Sequence, residues 1–77
     1  MKQEDIKKLQ RLSSTWLILQ DDMEYHEKAE EHAIRDGITF IEAIAEARKQ
    51  NYEKEIARTE KEIKEFISEL KNNNYGE

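Results

Sequence analysis

The sequence predicts an all-α fold, an antiparallel hairpin of two long helices over about residues 3–35 and 40–71, dimerising into a four-helix bundle. Three observations carry the prediction. Good helix formers run almost without interruption through a chain of 77 residues that has no proline and only two glycines, Gly37 and Gly76. The stretch Asp36-Gly37-Ile38-Thr39-Phe40-Ile41-Glu42 lies near the midpoint and is the one strong punctuation. Finally, the apolar residues on either side of it recur at steps of three and four, the period of a helix packed along one face.

Helix 1 is expected over 3–35 because nothing inside it stops a helix. Its weak point is Ser13-Ser14-Thr15, whose hydroxyls compete for backbone hydrogen bonds, so a bend or a break into two helices is weighed there. Leu9, Leu12, Trp16, Leu19, Met23, His26, Glu30 and Ala33 form its inward stripe, apolar as far as Met23 and polar beyond. Outside the stripe, Glu4 with Lys8, Glu24 with Lys28 and Glu31 with Arg35 stand four apart in the favourable order.

The turn follows from Gly37, which accepts the left-handed conformation that ends a helix. Thr39 and Glu42 have the spacing of a capping box that starts the next one. Helix 2 then runs from about 40 to 71, with Ile41, Ala45, Arg48, Tyr52, Ile56, Thr59, Ile63, Phe66 or Ile67, and Leu70 inward. Asn72-Asn73-Asn74 ends it, and 72–77 is read as a frayed tail of a single domain spanning 1–77.

Folding the chain at Gly37 tests whether the two stripes match. In an antiparallel hairpin, facing residues have numbers of constant sum. Five pairs share one value: Leu9 with Phe66, Leu12 with Ile63, Trp16 with Thr59, Leu19 with Ile56, and Met23 with Tyr52. At a rise of 1.5 Å per residue the result is a rod about 50 Å long.

A hairpin of this size buries little surface, so it needs a staple or a partner. With no cysteine there is no disulfide, and two histidines without cysteine do not make a structural zinc site. Self-association remains. Ile6, Leu17, Ile18, Phe40, Ile44 and Ile67, with Ala47, are left over by the seam and are the candidate dimerisation surface.

Charged residues at 40% against 36% hydrophobic suit exposed, ion-paired helices. The longest apolar run, Trp16-Leu17-Ile18-Leu19, is far too short for a bilayer, and the first residues lead into no signal-peptide core. A soluble, cytoplasmic protein without a membrane partner is expected.

The net charge of −5 is concentrated. Between Asp21 and Glu31, six acids face one lysine, Lys28, a balance equal to that of the whole chain. Asp21, Asp22, Glu24, Tyr25, Glu27 and Glu31 are therefore the candidate site for a basic partner surface. His26, Glu30, Arg48 and Tyr52 are expected to meet near the turn as a polar layer that fixes register or lines a small-ligand site. The plainer alternative places both groups on solvated helix faces.

Other chemistry has little support. Asp22 and His26 share a face, but the residues three before His26 and His32 are Met23 and Ala29, so the Glu-x-x-His pattern of di-iron bundles is missing and no metal or other cofactor is expected. With no cysteine, no glycine-rich loop, and no base near Ser13 or Ser14, an enzyme is not expected. Lys7, Lys8, Arg11, Lys54, Arg58, Lys61 and Lys64 are interleaved with Glu53, Glu55, Glu60, Glu62 and Glu65, which argues against nucleic acid.

The expected function is a small, non-enzymatic protein–protein interaction module, a regulator, adaptor or inhibitor of the kind phages and mobile elements encode. The alternative is an oligomeric small-ligand or nucleotide binder using the polar layer. A coiled-coil spacer with no discrete partner is the third class.

Overall fold

The computed structural model describes residues 2–72, so Met1 and residues 73–77 of the expected tail lie outside the described residues, while Asn72, read as the start of that tail, is the last residue of the second helix. Two helices, α1 (Gln3–Arg35) and α2 (Ile41–Asn72), pack antiparallel into a rod of 59 × 16 × 12 Å. The predicted boundaries hold to within a residue. Neither helix is long and apolar enough to cross a membrane.

Helix α1 is continuous through Ser13-Ser14-Thr15. The Thr15 hydroxyl donates to the Arg11 carbonyl at 3.0 Å, one turn back, so it bonds within the helix instead of capping a new one. The first turn carries Glu4 and Asp5 and the last turn His32 and Arg35, each sign matched to the helix dipole.

The turn is a Schellman arrangement. Gly37 has φ of 90°, and its amide donates to Ile34 at 3.0 Å while the Ile38 amide reaches back to Ala33 at 3.1 Å. Helix α2 starts through the Glu42 amide donating to the Thr39 carbonyl at 3.1 Å. The capping box forms no side-chain hydrogen bond, so the backbone alone makes this start.

The core sits away from the turn. Leu12, Phe66 and Leu70 are buried together, with Leu9 and Ile63 packed against them. Phe66 takes the seam position and Ile67 is left outside, 38% exposed. The Lys8 ammonium lies 4.4 Å from the centroid of the Phe66 ring rather than on Glu4, so that predicted ion pair gives way to a cation–π contact. Ile56 and Thr59 are buried further along, the Thr59 hydroxyl donating to the Glu55 carbonyl at 2.9 Å. Trp16 is half-buried. Among the described residues no large side chain is completely enclosed, as expected for a layer only two helices thick.

Candidate interaction site on the turn-proximal half

Toward the turn the seam passes from leucine and isoleucine to polar groups. Arg48 of α2 donates from Nη1 to His26 Nδ1 of α1 at 3.1 Å, which places the proton of a neutral His26 ring on Nε2. The His26 ring stacks on Tyr52 with centroids 6.0 Å apart, and Tyr25 meets its other side edge-on at 5.5 Å. One turn along α1, Glu30 is only 8% exposed. Its Oε2 lies 3.6 Å from Arg48 Nη1, close enough for charge attraction but too far for a hydrogen bond, and has no hydrogen-bond partner among the described residues.

The structure therefore brings together His26, Glu30, Arg48 and Tyr52. Asp22 stays exposed and takes no part in the bonding. The one cation of this layer is shared between a histidine and a glutamate, so the group cross-links the two helices and leaves no uncommitted charge for an anion.

The acidic residues divide into two sets. Asp21, Asp22 and Glu24 stand exposed on α1, and Glu24 is tied to Lys28 at 3.1 Å. Tyr25 is 71% exposed beside them. Glu27 and Glu31 instead flank a groove of about 330 Å³ between the helices, floored by Ile34 and Ala45, with Glu30 also in its lining. The opposite wall comes from Glu42 and Glu46 of α2, with Lys49 beside them.

Reading α1 by itself missed Glu42 and Glu46. The signal is spread over both helices, two glutamates on each, and charge counted along the chain hides it. Each wall keeps two glutamates four residues apart, a like-charge spacing that costs a helix a few tenths of a kcal/mol.

The leftover apolar residues do not form one surface. Leu17 is 50% exposed, Ile18 58%, Phe40 70% and Ile44 44%, whereas Ile6 is half-buried. Ile6 and Leu17, eleven residues apart, lie on one line of α1, and continuing that line by threes and fours reaches Gln20, Glu24, Glu27 and Glu31. On α2, steps from Lys49 reach Ile56, Ile63 and Ile67. One flank is thus acidic near the turn and apolar away from it. Ile18 points about 100° from Leu17, and Phe40 and Ile44 form a separate patch at the start of α2.

No family model, curated protein or solved structure matches the chain.

Proposed function

We propose that this chain is a non-enzymatic helical interaction module, a small regulator, adaptor or inhibitor that presents its acidic turn-proximal half to a protein with a basic surface. The observation that carries the reading is the gathering of glutamates from both helices onto that half, beyond the acidic run of α1 alone. Carboxylates held on a rigid helical frame raise the encounter rate with a cationic surface. Solvent-exposed charges act within a Debye length of about 8 Å at physiological salt, so binding should weaken steeply as salt rises. Charge reversal at Asp22, Glu24 and Glu27 tests this: it should abolish salt-sensitive binding, and a partner held unchanged overturns the reading.

The module is proposed to act as a homodimer, its hairpins meeting through the flank that carries Ile6, Leu17 and Ile67 to complete a four-helix bundle. A two-helix layer with no large side chain enclosed among the described residues supports this, because a second layer would supply the missing burial. Size-exclusion chromatography with light scattering should give twice the chain mass at micromolar concentration. A folded monomer sinks the dimer.

The assembled His26, Glu30, Arg48 and Tyr52 layer favours a second reading, a small-ligand site at a subunit interface. Thermal stabilisation by a metabolite panel tests it, since a ligand at 100 times its dissociation constant adds about 2.7 kcal/mol.

A further inference from the structure

Resting on the dimer reading, we propose that two copies join antiparallel through the flank that carries Ile6, Leu17 and Ile67, so that their acidic turn-proximal halves project from opposite ends of the assembly. The apolar spacing suits a two-fold axis at right angles to the rod. Ile6 and Leu17 stand eleven residues apart on one line of α1, and Ile56 and Ile67 stand eleven apart on α2. Each interval is about 16 Å. Their midpoints fall beside Arg11 and Leu12 on α1 and beside Lys61 and Glu62 on α2, within a turn of the same level, as Lys8 against Phe66 and His26 against Arg48 set the register. An axis there sets Ile6 of one copy on the partner's Leu17 and Ile67 level with the partner's Ile56, each contact occurring twice. Ile56 belongs to the seam, so Ile67 caps the seam from outside at that level.

Apolar spacing alone leaves the orientation open, because an axis along the rod also brings Ile6 level with the partner's Ile67 and Leu17 level with the partner's Ile56. Charge decides it. In that parallel arrangement Glu24, Glu27 and Glu31 of each copy lie over the stretch of the other that carries Glu42, Glu46 and Glu53, and Lys71 lies over Lys2. Like charges meet along the interface, which penalises the arrangement.

Turned end for end, the same flank pairs opposite charges. Lys71 comes level with the partner's Glu53 and Glu60 with the partner's Lys64, all four on the side of α2 that carries Ile67. Lys2 comes within about a turn of the partner's Glu24. The two acidic halves then stand roughly 40 Å or more apart, several times the Debye length of about 8 Å. The assembly thus carries one acidic face at each end instead of two at one end.

The test places one spin label per chain, which the absence of cysteine makes simple. Ala29→Cys puts the label at an exposed position of α1 away from the proposed interface. Light scattering at the same concentration comes first: a folded monomer overturns the dimer reading and the orientation together. In a dimer, pulsed dipolar spectroscopy should give an interlabel distance of roughly 50 Å, twice the rise from Ala29 to the axis. A distance under about 30 Å sets the turns side by side; it overturns the antiparallel arrangement and leaves the dimer standing. A charge swap checks the register. Lys71→Glu should weaken association about fivefold at low salt, and Lys71→Glu/Glu53→Lys should restore it, because the two positions lie eighteen residues apart on α2 and meet only between copies. A swap that restores nothing overturns this interface.

Discussion

Away from the turn, Leu12, Phe66 and Leu70 close over one another with Leu9 and Ile63, and the Lys8 ammonium covers the ring of Phe66. Beside the turn Ala33 and Ala45 are only half-buried, and the same two helices are bridged by a histidine, an arginine and a buried glutamate. The turn-distal half gains from removing apolar surface from water, which is non-directional and tolerant of sliding. The turn-proximal half depends on hydrogen-bond geometry and paired charge, which contribute modest net stability and penalise wrong register. The apolar core and the polar, acidic half thus lie at opposite ends of one rod.

The largest effect should follow from attacking the apolar half. Phe66→Ala should cost about 3 kcal/mol, through lost transfer energy and the void left behind, read from urea unfolding at a fixed protein concentration. A loss well below 1 kcal/mol would mean that the turn-distal cluster is not the main source of stability.

A smaller effect is expected in the polar layer. Arg48→Leu leaves the Glu30 carboxylate buried beside no cation. The cost should be about 1–2 kcal/mol, less than for a fully enclosed pair because the Arg48 side chain is 38% exposed. The double variant Glu30→Leu/Arg48→Leu should recover to within about 1 kcal/mol of the parent, since two apolar groups replace two compensating charges. A double variant no better than the single one would show that His26 and its bond to Arg48, rather than charge compensation, carry this layer.

The smallest effect sharpens the contrast most. Glu27→Gln removes one member of a like-charge pair with Glu31, so it should raise stability by a few tenths of a kcal/mol at low salt, with the gain fading at high salt. The same change should weaken binding of a basic partner. A lower melting temperature instead would mean that the acidic wall supports the fold.

Much of this architecture was legible in the residues. Gly37 marked the turn because a left-handed residue at a helix end is strongly selective for glycine. The pairing rule followed because two unbroken helices joined by one short turn have a single free register. It placed Leu9 beside Phe66, Leu12 beside Ile63, and His26 beside Arg48. The Thr39 to Glu42 spacing was legible too, and there the Glu42 amide donates to the Thr39 carbonyl. Of the three surface ion pairs expected on α1, Glu24 with Lys28 forms, while Lys8 is drawn to Phe66, a competitor far away in sequence.

By itself, then, the sequence determined two helices, their turn and their facing layers, because helical periodicity and a single glycine leave one consistent arrangement. Only the tertiary structure decided that Lys8 covers Phe66 instead of pairing with Glu4, and that Glu42 and Glu46 join Glu27 and Glu31 around one groove. These outcomes depend on which side of the seam each side chain reaches once the helices meet. Neither helix specifies that alone.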